Sequence, residues 1–78
     1  MKIKIRIFLK KGVLDPQAKA IEKALHALDF SNVSDLKMAK EISFDLKEND
    51  QENALVQARA MCEELLANTV IEDYEIVL

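Results

Sequence analysis

The sequence predicts an α+β fold: an antiparallel sheet with two helices packed on one face, in the order β-α-β-α-β, with a long central strand that could be split. Three observations carry that prediction. Period-two alternation opens the chain at residues 2–9 and closes it at residues 70–78. Two stretches between them, residues 16–28 and 51–67, change to helical spacing. The length of 78 residues, half of them apolar, makes one domain over 1–78 with no room for a second.

In the first strand, Ile3, Ile5, Ile7 and Leu9 point one way and Lys2, Lys4 and Arg6 the other, so one face is buried. Phe8 interrupts the polar side, either as a contact surface or packed under a neighbouring loop. Leu9-Lys10-Lys11-Gly12-Val13-Leu14-Asp15-Pro16-Gln17 follows, with the only Gly and the only Pro. Gly12 can take φ > 0 and turn the chain out of the strand. Asp15 offers a carboxylate to the free N–H groups of a helix that begins at Pro16, where the missing N–H costs nothing. Folding alone makes Lys10 and Lys11 two solvated lysines on a turn.

The first helix places Ala18, Ile21, Leu25 and Leu28 on one stripe, widened by Ala24, with Lys19, Glu22, Lys23 and His26 opposite. His26 has no second ligand at metal spacing, and Glu22 four residues earlier explains it as a surface pair. Asp29-Phe30-Ser31-Asn32 is a turn, with Phe30 tucked under it.

The central stretch gives Leu36, Met38, Ile42, Phe44 and Leu46 one parity and Asp35, Lys37, Glu41, Ser43, Asp45 and Lys47 the other. Two readings compete: one long, bent strand over 33–47, or a hairpin near Ala39-Lys40. Continuous parity favours the single strand, since Ala39-Lys40 offers no hairpin turn chemistry. Such a strand outruns the domain's own sheet and can pair with another chain. Met38, Ile42, Phe44 and Leu46 are therefore candidate contacts in a homodimer or higher oligomer.

Asn49 with Glu52 has the form of a capping box for the second helix. Its stripe is Ala54, Leu55, Ala58, Met61, Cys62, Leu65 and Leu66, and Asn68 suits a left-handed stop. Cys62 falls mid-stripe, which reads as an inert buried thiol. In the last strand Tyr74, Ile76 and Leu78 oppose Asp73 and Glu75. That acidic face suits antiparallel placement beside the basic first strand, with Lys4 and Arg6 across from Asp73 and Glu75.

Fourteen acidic against 11 basic residues give a net charge of −3, which argues against nucleic acid or an anionic membrane as partner. No apolar run nears transmembrane length and no signal-peptide pattern follows Met1. A single cysteine cannot form an internal disulfide, so a reducing cytoplasm fits. With one glycine there is no phosphate-binding loop, and neither metal ligands nor a nucleophile–base pair stand together. The residues alone describe a small oligomeric α+β domain with no catalytic, cofactor or metal site of its own.

The segment 9–17, followed by Ala24-Leu25-His26-Ala27-Leu28, resembles the PurS family, the small subunit of phosphoribosylformylglycinamidine (FGAM) synthase. Val33-Ser34-Asp35-Leu36-Lys37-Met38-Ala39-Lys40 is similar to that family's central strand. Cys62-Glu63-Glu64-Leu65-Leu66-Ala67-Asn68 and Val70-Ile71-Glu72-Asp73-Tyr74-Glu75-Ile76 extend the likeness to the far end. Asp29 and Ala39 stand where such sequences usually carry Gly, and Thr69 where they carry Pro. The resemblance implies a ferredoxin-like, PurS-like arrangement and a non-catalytic subunit of an ATP-dependent C–N ligase of purine synthesis. That subunit would bridge the glutaminase (PurQ) and the synthetase (PurL), so that glutamine-derived ammonia reaches the site where formylglycinamide ribonucleotide becomes the amidine. ATP and Mg would sit on the synthetase, not on this chain. The resemblance covers the first loop closely, and two lysines with apolar neighbours exceed what a turn requires. Lys10, Lys11, Gly12 and Val13 are therefore candidate contacts to a catalytic subunit.

The alternative is a small-molecule-sensing regulatory domain of the ACT type, whose melting temperature would shift with an amino-acid ligand. A copper-chaperone-like domain would need Cys-x-x-Cys in the first loop. An RNA-recognition module would need sheet-face aromatics and a basic surface, and an acylphosphatase-like enzyme an Arg in the first loop.

Overall fold

The computed structural model describes all 78 residues. The elements are β1 (Lys2–Leu9), α1 (Pro16–Ala27), β2 (Ala39–Asp45), α2 (Gln51–Met61) with a π-helical turn continuing it (Cys62–Leu66), and β3 (Glu72–Val77). The three strands form one antiparallel sheet in the order β2-β1-β3, so the α+β class stands as expected.

β1 is central because both faces of its backbone find partners, with Ile5 opposite Ile42 on one side and Ile76 on the other. Its inward side chains Ile3, Ile5 and Ile7 are buried against Ala54, Ala58, Cys62 and Ala67. Each buried isoleucine contributes about 1.5–3 kcal/mol. Small residues at these helix positions let α2 lie close on the strand. Ile42, Phe44, Leu66, Tyr74 and Ile76 close the edges of this core. On the outer face Arg6 stands between Glu41 at 3.5 Å and Glu75 at 3.7 Å. Lys4, however, opposes Ser43 and Val77; Asp73 lies opposite Phe8 and pairs with Lys10.

Only α2 covers the sheet. Ala18 is the one buried residue of α1 and lies outside the cluster beneath the sheet, while the stripe residues Ile21 and Leu28 are exposed, Leu28 by 67%. Instead α1 runs outward and residues 33–38 return beside it. His26 Nε2 bonds to the Val33 carbonyl at 2.6 Å, and Glu22 accepts from the Leu36 N–H at 3.0 Å. Those bonds replace the expected Glu22–His26 pair. The result is an arm, and it makes the molecule 49 × 23 × 14 Å with a radius of gyration of 16.0 Å. A compact chain of this length would have about 11.5 Å.

The central stretch is neither the single strand over 33–47 nor a hairpin. Pairing begins only at Ala39, opposite Phe8, because β1 ends one residue later and offers nothing to residues 33–38. Asp35 also takes a left-handed φ of 55°, which breaks strand geometry. Phe30 is 54% exposed rather than tucked under its turn. Three further details of α2 differ. Its N-cap is Asp50 with no side-chain bond, and Glu48 holds the start by accepting from Asp50 N–H and Gln57. The π-helical turn inserts extra chain per turn, rotating Leu65 out to 83% exposure while Leu66 and Ala67 turn inward. The helix stops where Ala67 turns extended (φ −122°, ψ 140°) and not at a left-handed Asn68, whose side chain instead accepts from Val70 N–H in the turn that follows.

Candidate partner-docking site

Where β1 gives way to α1, an open cleft of about 820 Å³ lies between the connecting loop, the first turns of α1, and the returning segment at Leu36 and Met38. Gly12 turns the loop at φ 89°, and a Cβ there would meet nothing within 4 Å. The glycine is thus required for its backbone angle and not for space. The Val13 N–H donates to the Lys10 carbonyl at 3.1 Å, and the Lys10 N–H donates to the Ile71 carbonyl at 2.8 Å. Asp15 Oδ1 accepts from the N–H groups of Gln17 and Ala18, closing the loop onto the helix. Backbone bonds therefore hold the loop while its side chains face out.

The charges on the cleft are mostly paired, and all but Glu22, whose side chain is 17% exposed, are well solvated. Lys10 meets Asp73 at 4.0 Å, Lys19 meets Glu22 at 4.0 Å, and Lys37 meets Asp35 at 3.8 Å. Pairs this exposed contribute little to stability. Lys11 has no carboxylate beside it, and Leu14 is 76% exposed with Val13 beside it. Lys11 is thus an unpaired cation next to exposed aliphatics on a fixed loop.

Lys10, Lys11, Gly12, Val13 and Met38 are thus brought together around one cleft. Ile42, Phe44 and Leu46 are not; they lie half-buried on the inner sheet face against the core. Cys62 is fully buried, and burial, with the Glu63 charge second, pushes its thiol pKa up, away from a reactive thiolate. The Tyr74 hydroxyl donates to Glu63 at 2.9 Å, and that bond raises its pKa. No three His, Cys, Asp or Glu side chains converge as metal ligands, and no helix is long and apolar enough to cross a membrane.

Residues 2–78 match the profile of the family described as PurS: phosphoribosylformylglycinamidine (FGAM) synthase. The PurS subunit of that synthase from Bacillus subtilis is 41% identical over 73 residues, covering 94% of this chain and 86% of the relative. The crystal structure of Methanocaldococcus jannaschii PurS, one of the subunits of formylglycinamide ribonucleotide amidotransferase in the purine biosynthetic pathway, superposes with a TM-score of 0.88. It is 43% identical, with 97% of this chain and 92% of that chain covered. A chain of the PurLQS structure from Thermotoga maritima gives a TM-score of 0.89 at 32% identity, over 97% of this chain and 93% of that one.

Proposed function

The chain belongs to the PurS family, and from that premise we propose that it is the PurS subunit of FGAM synthase in purine biosynthesis. The observation that carries this reading is its likeness, over nearly its whole length, to a chain of the PurLQS assembly. Its partners are the glutaminase PurQ and the synthetase PurL. It bridges them in the cytoplasm so that ammonia released from glutamine passes to the synthetase without escaping to water. ATP and Mg are bound by the synthetase, and this chain contributes no catalytic group. The inert Cys62 and solvated carboxylates support that division of labour. The Lys10–Val13 loop docks on a catalytic subunit, its lysines steering toward an acidic surface and Val13 anchoring.

A second copy of the chain is part of the working unit. The arm supports this: Ile21 and Leu28 have no cover, and residues 33–38 have no ladder partner in their own chain. Pairing two arms would cover both.

Reconstitution with the cognate PurL and PurQ tests the reading. Adding the chain should yield glutamine-dependent FGAM synthesis, whereas the synthetase with ammonium salts should proceed without it. Equal glutamine-dependent rates with and without the chain would overturn the proposal.

A further inference from the structure

Two surfaces of this chain are unfinished, and each has the form that the other lacks. The first is the inner face of the sheet along β2. By register Ile42 and Phe44 stand beside the buried Ile5 and Ile3, yet both remain half-exposed. The one helix on that face leans the other way. α2 approaches β3, where the Tyr74 hydroxyl donates to Glu63 of the π-helical turn at 2.9 Å. Lys40, at the start of β2, is the one charge along this margin.

The second surface is a face of α1. Ala20, Ile21, Ala24, Ala27 and Leu28 fall on one side of the helix and all five are exposed. No charge interrupts them, because Lys19, Glu22, Lys23 and His26 lie on the rest of its surface. A helix face without charge is a packing face. Its mixture of alanine and larger aliphatics matches that of α2, where Ala54 and Ala58 let the helix lie close on β1.

These two surfaces do not meet within one chain. α1 runs outward, and the arm is held as a unit by its own bonds, Glu22 to the Leu36 N–H and His26 to the Val33 carbonyl. The molecule is accordingly 49 Å long. A second copy brings the same pair of surfaces, so each arm can lie on the other's sheet and supply it with a second helix. Two arms laid only on each other would leave Ile42 and Phe44 in water. The exchange also forms its contact twice. A helix about 18 Å long and about 10 Å wide is a small patch against the about 1,200 Å² that a stable interface buries, and reciprocity doubles it.

We infer that two copies of this chain exchange arms, the Ala24 and Leu28 face of each α1 packing on the other's sheet at Ile42 and Phe44. The inference rests on the reading that a second copy belongs to the working unit, and it names the surfaces that join.

The test compares wild type with Ala24→Lys/Leu28→Lys by sedimentation and by hydroxyl-radical footprinting of side chains. Both substituted positions are already in water in the single chain, so the variant folds. Its self-association Kd should rise about tenfold or more. At a concentration where wild type is dimeric, Phe44 labelling should rise several-fold in the variant, while Phe8, on the outer sheet face, keeps its wild-type level. Loss of the dimer with Phe44 labelling unchanged, or with a rise that Phe8 shares equally, overturns the exchange and leaves the second copy in place. Unchanged self-association of the variant also overturns it and assigns the α1 face to another subunit. A wild-type chain that stays at 8.9 kDa at micromolar concentration overturns both the exchange and the second copy.

Discussion

Arg6 is the one side chain that joins all three strands by charge, with Glu41 and Glu75 on either side of its guanidinium. All three groups are about half exposed, so the network is solvent-screened and modest. Reversal by Arg6→Glu should still cost about 0.5–1 kcal/mol, more at low salt, as read from urea denaturation. Glu75→Lys should restore only part of that, since Glu41 remains. Asp29 is the opposite case. It holds φ 73° where a glycine would be unstrained, so Asp29→Gly should stabilise by about 0.5–1 kcal/mol in the same assay. Cys62 contributes a pH limit. Its thiol pKa is raised by burial, so the neutral form favours the folded state. That contribution is complete below the unfolded thiol value near 8.5 and is lost as pH rises through the folded one. Stability should therefore fall in alkaline solution, and more gently in Cys62→Ala.

Elements differ in how far their sequences determine them. β1 was legible to the residue because Ile3, Ile5 and Ile7 alternate with cations, and alternation is what a half-buried strand requires. The α1 start was equally legible, since Asp15 and Pro16 are local signals and need no tertiary context. The end of α2 was not. Leu65 and Leu66 are both good stripe residues, and only packing against the core decides that the second turns inward. The arm departs from the sequence expectation for a related reason: parity in residues 36–46 predicts strand geometry, but a ladder also needs a neighbour, and β1 is too short to supply one. The candidate site divided likewise. The loop's lysines and Val13 could be read as excess over a turn, whereas their meeting with Met38 follows from the returning path of the arm. Since α1 lacks tertiary cover, its cap carries unusual weight. Asp15→Ala should cost about 1 kcal/mol locally. Hydrogen exchange should quicken across α1 and leave β1 protected, whereas equal acceleration everywhere would mean that α1 folds with the sheet.

For the whole molecule the question is what the arm does in solution. An isolated chain with a radius of gyration of 16.0 Å carries more exposed apolar surface than its core justifies. Ile21→Ser/Leu28→Ser should shift sedimentation toward the 8.9 kDa species while barely changing sheet stability. If wild type already sediments at that mass at micromolar concentration, the second copy is not part of the unit.

The strand order has a consequence for biogenesis. β1 leaves the ribosome first, yet its flanking strands are made later, and Lys4 finds its partner at Val77. During synthesis Ile3, Ile5 and Ile7 therefore travel uncovered, with α2 and β3 still to come. Closure across most of the chain makes folding late and comparatively slow, in the regime of topologies dominated by distant contacts. A nascent chain arrested before β3 emerges should remain protease-sensitive along β1 and be a client for chaperones that hold extended aliphatic segments.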